Sequence, residues 1–203
     1  MERRSGCDAF TVLVVCTANH CRSPLIEHLL AATSRMAGAS WTVRSAGTRV
    51  ETSAPAHSMI AAELADRGIA INPEWGSRRL HADLVREADL IITAEDSHRA
   101  AVAALDLAAR QRTFPLLQLA AVRSSIAPAD RVQVTDPAGL VQQVQAHRHL
   151  MPPMATIDLA DPIGRPPRYF RRCTRIVEDA VELVTGARLD VVRPVAARRK
   201  GRR

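Results

Sequence analysis

The stretch Val12–Leu30, VLVVCTANHCRSPLIEHLL, joins two kinds of chain. With Phe10 and Thr11 its first residues form the apolar, β-branched run FTVLVV. That run predicts a strand over Phe10–Val15 of the kind buried inside a parallel sheet. Further on, Leu25, Ile26, Leu29 and Leu30 recur at helical spacing. Ser23 or its neighbour suits the cap of that helix, and Pro24 suits its first turn. Between strand and helix lies Cys16-Thr17-Ala18-Asn19-His20-Cys21-Arg22, which holds two of the four cysteines of the chain.

Outward from this junction the alternation repeats. WTVRSAG (Trp41–Gly47) reads as a second strand and turn, and APAHSMIAAELADRG (Ala54–Gly68) as a helix with Gly68 just past its end. ADLIIT (Ala88–Thr93) is a third strand, and AEDSHRAAVAALDLAAR a helix with acids in its first turn. TFPLLQLA (Thr113–Ala120) predicts a fourth strand, which Pro115 makes an edge or a short one. A long helix occupies roughly Arg168–Thr185. Strands alternating with helices give the fold class: α/β, an open, mainly parallel four-stranded sheet with helices on both faces, flavodoxin-like. The pattern weakens between Ala121 and Ala160, where TDPAGLVQQVQAHRHL can hold a helix and MPPMAT reads as a loop. The expected organisation is an N-terminal extension over 1–9, one domain over 10–186 with an insertion at about 121–156, and a tail over 187–203.

Composition narrows the function classes. The 203 residues carry a net charge of +7, but Arg188–Arg203 alone hold seven basic residues and one acid. Subtracting that +6 leaves +1 for the rest, so the body of the chain is nearly neutral. The basicity belongs to a tail ending RRKGRR, expected to be disordered and open to a weak anionic partner such as nucleic acid or a membrane surface. No apolar run approaches the ~20 residues that cross a bilayer. MERRSGCDAF lacks the apolar centre of a secretory signal. The expectation is a cytoplasmic protein with no stable membrane insertion and mostly reduced thiols. Cys7, Cys16, Cys21 and Cys173 are too few and too unevenly spaced for a disulfide framework.

The junction itself suggests chemistry. A loop running from the end of a strand over a helix N-terminus turns its N–H groups inward and makes a nest for an anion. The same field favours a thiolate over a thiol. Arg22, six residues after Cys16, offers a planar fork that can hold two phosphate oxygens at once. A thiolate, a ring of donors and a bidentate arginine form a device for attacking phosphorus. In an open α/β sheet such a loop stands at the carboxyl end of a strand, where ligands bind.

Cys-x5-Arg-Ser is the pattern of cysteine-dependent phosphatases, and VCTANHCRSP resembles the low-molecular-weight protein tyrosine phosphatase family in detail. The resemblance includes Asn19, Cys21, Ser23, Pro24, SAGT (Ser45–Thr48), ADLIITAED and DPIG (Asp161–Gly164). It covers Thr11 to about Ala120 and Ile157 to about Gly186. It implies a fold of the phosphotyrosine phosphatase I type and hydrolysis of a phosphomonoester, with a protein phosphorylated on tyrosine as the expected partner. Cys16 would be the nucleophile and form a phosphocysteine. Arg22 would bind the phosphoryl oxygens, and Ser23 would donate to the Cys16 sulfur. Asn19, hydrogen-bonded to Ser45, would hold the loop of Thr17, Ala18, Asn19, His20, Cys21 and Ser23 in shape. Asp161 would protonate the leaving oxygen and then activate water. No metal or cofactor is implied.

Alternatives stand beside each assignment. Asp136 in TDPAG and Asp158 rival Asp161, which is preferred because it shortly precedes the last helix. A zinc site from Cys16, His20 and Cys21 lacks an obvious fourth ligand. Cys21 is either a small buried hydrophobe or a guard that traps an oxidised Cys16. Cys7 and Cys173 read as thiols without function, and His20 as a surface residue. Related enzymes of this fold act on phosphoarginine, with threonine at the His20 position, or reduce arsenate with further cysteines that are lacking here. The aromatic wall of tyrosine-specific members is weak: Ile163 follows Asp161-Pro162, and only Trp75 or Tyr169 could supply a ring. Ala18 stands where glycine is usual. The rival from another class is a non-catalytic anion-binding module with a nucleic-acid- or membrane-binding tail.

Overall fold

The structure, a computed structural model, describes residues 9–150 and 157–189. Cys7, the MPPMAT segment and the tail beyond Leu189 lie outside the described residues. Four parallel strands form the sheet: β1 (Phe10–Cys16), β2 (Trp41–Gly47), β3 (Leu90–Thr93) and β4 (Thr113–Pro115), in the order β2-β1-β3-β4. This is the open α/β sheet that the alternation predicts. β1 lies inside it, paired along its whole length with β2 and over Val12–Val15 with β3.

The period of two in β1 divides the core. Val12 and Val14 face one layer, built from α1 (Arg22–Met36), α2 (Ser58–Ala65), α5 (Leu116–Ser125), α6 (Pro137–Ala146) and α7 (Pro167–Thr185). Leu13 and Val15 face the other, where Val85 of α3 (Ala82–Glu87) and Val102 of α4 (Asp96–Leu105) pack. Both faces are therefore covered, which explains why the strand reads as an unbroken apolar run. Each such fully buried side chain contributes about 1.5–3 kcal/mol by leaving water. In α1 the buried stripe is Leu25, Ile26, Leu29 and Leu30. In α7 it is Phe170, Cys173, Val177, Val181 and Val184, closed by Gly186 in the left-handed conformation (φ 73°).

Three segments differ from expectation. TFPLLQLA is a strand only to Pro115, where the missing N–H stops the ladder. Leu116, Leu119 and Ala120 then sit at helical spacing and bury in α5. The apolar run alone fits either element, and only its packing against α7 decides. α4 stops at Leu105 because Asp106 turns to extended backbone and caps a short 3-10 segment through Ala108 N–H. The helix beginning at Ala54 starts instead at Ser58, with His57 as its cap, and α3 is an additional helix. Within 121–156, α6 buries Leu140 and Val144 completely in the main core. Buried Arg123 ties α5 to that segment through Val132 O and Gln143 Oε1.

Candidate active site

In the order β2-β1-β3-β4, the chain leaves β1 towards β2 on one side and meets β3 on the other. The carboxyl end of β1 is thus the switch point of the sheet, where crevices form. Cys16 is the last residue of β1 and Arg22 the first of α1. The loop between them is pinned by backbone bonds from the end of β2: Thr48 N to Cys16 O at 2.9 Å and Arg49 N to Thr17 O at 2.8 Å. Gly47 makes this approach possible. A Cβ there would lie 2.7 Å from both Asn19 N and Thr17 O.

Asn19 is the centre of the loop. It takes a positive φ of 49°, which asparagine tolerates better than most residues. No positive φ falls on Ala18, so alanine in place of glycine there carries no strain. Asn19 is fully buried and uses all its amide groups. Nδ2 donates to Ser23 Oγ at 2.9 Å and Ser45 Oγ at 2.6 Å, and Oδ1 accepts from Arg78 N at 2.9 Å. Ser45 passes the chain on to Glu27 Oε2, which also accepts from Trp75 Nε1 at 3.2 Å. Trp75 is therefore tied into the support behind the loop.

Cys16 Sγ lies 2.9 Å from Ser23 Oγ, with both residues buried. Ser23 does not cap α1; its hydroxyl turns to the sulfur and to Asn19 instead, and Cys21 occupies the cap position without a side-chain bond. Were Cys16 a thiolate, only Ser23 could donate across this contact. Arg22 is buried to 3% exposure and pairs with Glu95 through Nη1 and with Asp161 Oδ2 through Nη2 at 2.7 Å, while Nη1 also donates to Leu159 O at 3.0 Å. Burial pulls the guanidinium pKa down, but the Glu95 bond and the two carboxylate charges outweigh it and raise it. Burial likewise pushes Glu95 up, and Arg22 outweighs it and holds that carboxyl below the ordinary range.

Asp161 is thus beside Arg22, and neither rival carboxylate is. Asp158 Oδ1 accepts from Asp96 N at 2.7 Å and anchors the loop to the start of α4. Asp136 caps α6 through Gly139 N–H. His20 is half-buried at the rim, edge-on to His57 at 5.4 Å, and His57 stacks on Phe170 at 4.8 Å. Cys21 and Cys173 are buried. Desolvation drives the Cys21 thiol strongly upward and Cys173 to about 12, so both are neutral at physiological pH. Among the described residues, no cluster of three His, Cys, Asp or Glu side chains could hold a metal ion.

Four supporting residues escape a reading of the sequence: Glu27, Arg78, Glu95 and His98. Buried His98 accepts from Glu95 N through Nδ1 at 3.1 Å, which leaves Nε2–H to donate to Thr17 Oγ1 at 3.0 Å. The acid at the start of α4 with His three residues on was visible in AEDSH, but its signal was that of a helix start.

A thiol hydrogen-bonded to a serine at a helix N-terminus, with an arginine–aspartate pair at that same helix start, is an arrangement that can handle phosphate chemistry on a flavodoxin-like sheet. A family model described as low molecular weight phosphotyrosine protein phosphatase matches residues 11–144, and the chain belongs to that family of cysteine-dependent phosphatases. It is 38% identical over 104 residues to the low molecular weight protein-tyrosine-phosphatase Etp of Escherichia coli K12, covering 51% of this chain and 67% of that one. It is 30% identical over 105 residues to a protein-arginine-phosphatase of Bacillus subtilis, covering 52% and 69%. The crystal structure of a YwlE mutant from Bacillus subtilis superposes with a TM-score of 0.66 at 20% identity, over 87% of this chain and 96% of that one, which speaks for the fold alone. Among the described residues, no helix is long and apolar enough to cross a membrane.

Proposed function

We propose that this chain hydrolyses phosphotyrosine on proteins in the cytoplasm, through a phosphocysteine on Cys16. The observation that carries the reading is the Cys16–Ser23 contact at 2.9 Å beneath a loop locked by Asn19. Cys16 Sγ attacks phosphorus and the ester oxygen leaves, taking the proton of Asp161. Arg22 N–H groups and the loop amides hold the equatorial oxygens as charge shifts onto them. Phosphate oxygens compete for the Arg22 donor that Asp161 now occupies, and that exchange turns the carboxyl group towards the leaving oxygen. In the second step Asp161 takes a proton from water, water attacks phosphorus, and the sulfur leaves with Ser23 donating to it.

Exposed Tyr169 lines a cavity with Asp161, and exposed Ile163 donates its N–H to Asp161 Oδ1; in this reading the two side chains are the apolar wall for an aryl group. The 38% identity to a protein-tyrosine-phosphatase, against 30% to a protein-arginine-phosphatase, favours tyrosine. The test is turnover of para-nitrophenyl phosphate and of matched phosphotyrosine, phosphoserine and phosphoarginine peptides. Phosphotyrosine is expected to lead, and Cys16→Ser to abolish turnover of all of them with the fold intact. Turnover retained in Cys16→Ser would remove the mechanism, and a lead by phosphoarginine would move the substrate to the other branch.

A further inference from the structure

The first half of α7 carries a stripe of positive charge that the chemistry at Cys16 does not use. Arg168, Arg171, Arg172 and Arg175 stand at i, i+3, i+4 and i+7, all exposed, opposite the buried Phe170, Cys173, Thr174 and Val177. Arg165 precedes them, and from Gly164 to Arg175 there is no acid. None of the five takes part in an ion pair among the described residues. Like charges at these spacings repel and weaken a helix. Only Arg175, at the far end, has acids at helical spacing, Glu178 and Asp179, so the part of the stripe nearest Asp161 carries its repulsion without a carboxylate at that spacing on its own helix.

Its position relates it to the site. Arg165 and Arg168 lie over the Tyr169 ring, at 5.8 and 5.2 Å from its centroid. Tyr169 and Arg172 line a cavity of about 310 Å³ together with Asp161 and Pro162. The stripe thus begins beside Asp161, the carboxylate that pairs with Arg22. From Arg168 to Arg175 it runs ~10 Å along the helix axis, the length of about three extended residues. A nucleic-acid backbone continued past this end would meet the acidic rim of Asp158, Asp161 and Asp96. A short acidic peptide avoids that rim.

We propose that the α7 stripe binds acidic side chains flanking the phosphorylated residue of the protein substrate. This rests on the phosphatase reading above. Each Arg–carboxylate contact here is exposed and therefore weak, and selectivity comes from several acting together and from steering in the approach.

The test compares kcat/KM on para-nitrophenyl phosphate, a phosphotyrosine peptide with neutral flanks, and peptides with three acidic residues before or after the phosphotyrosine. The wild-type chain is expected to prefer one acidic peptide about tenfold, through KM, at low salt, and to lose most of that preference in about 0.5 M NaCl. The triple variant Arg168→Ala/Arg171→Ala/Arg175→Ala is expected to retain para-nitrophenyl phosphate turnover and to treat the peptides alike. Equal kcat/KM for neutral and acidic peptides in wild type overturns the proposal, as does a preference that survives in the triple variant. Salt-sensitive binding of duplex DNA or anionic vesicles without peptide preference overturns it in favour of another polyanion. Absence of para-nitrophenyl phosphate turnover in wild type instead removes the phosphatase reading on which it stands.

Discussion

At the scale of single residues, the site is a short chain of hydrogen bonds ending on sulfur. Ser23 Oγ accepts from Asn19 Nδ2, which leaves its own proton available for the Cys16 sulfur. A hydrogen bond to a charged group contributes about 1.5–3 kcal/mol, so Ser23→Ala is expected to lower kcat by roughly ten- to a hundredfold. Thermal melting serves as the control: a change in kcat with Tm nearly unchanged assigns the loss to the sulfur, and unaltered kcat removes the bond from the mechanism. The two aspartates before proline separate in the same way. Asp161 borders Arg22, and Asp136 only caps α6. Asp161→Ala should slow release of poor leaving groups far more than of para-nitrophenol, while Asp136→Ala should cost about 1 kcal/mol of stability and leave rates alone. Reversed kinetic effects would exchange the roles.

At the scale of elements, the junctions matter more than the helices and strands they join. Gly47 closes β2 so near the loop that a methyl group would press on backbone atoms of Thr17 and Asn19, which cannot swing aside as a side chain tip could. Gly47→Ala is expected to cost about 1–3 kcal/mol in urea titrations and most of the activity, because the displaced atoms are the loop itself. Wild-type activity in this variant would show that the loop tolerates displacement. These junctions also divide what was legible from what was not. FTVLVV and the Cys16–Arg22 junction could be read because each carries local physics: a doubly buried strand and an anion nest. Asp161 could not be told from Asp136 on local grounds, and only the resemblance, which sets the acid shortly before the last helix, preferred it. Leu116–Ala120 could not be read, since an apolar run fits strand or helix until α7 is placed against it. Glu27, Glu95 and His98 lie 11, 79 and 82 residues after Cys16, and only the sheet order brings them to the loop. Leu140 is a similar case, a core residue from a stretch without a clear pattern. Leu140→Ala should cost about 2–5 kcal/mol, and a surface-like value would detach α6 from the core.

At the scale of the whole molecule, a buried imidazole, His98, and a half-buried carboxylate, Glu95, connect the loop to the start of α4 and should make the fold sensitive to acid. Burial lowers the pKa of His98 below its ordinary 6.5, although the Glu95 charge opposes this. The folded chain therefore holds His98 neutral at a pH where the unfolded chain takes up a proton. Glu95, lowered from 4.5 by Arg22 against the effect of burial, repeats this at lower pH. In both windows the unfolded state binds more protons, so stability rises with pH and is lost as pH falls. His57 shifts in the same direction through burial and the neighbouring His20, and adds to the upper window. The urea midpoint is expected to decline from about pH 6.5 downward and to decline again below about pH 4.5. His98→Gln, which keeps a donor and an acceptor near Thr17 and Glu95, should flatten the upper decline in part, with His57 supplying the remainder. Glu95→Gln should flatten the lower decline while lowering stability at neutral pH, because Arg22 then stays buried with one carboxylate fewer. A His98→Gln curve parallel to wild type from pH 7 to 5 would mean that the imidazole is not held neutral, and that the Thr17 contact is made by a ring free to titrate.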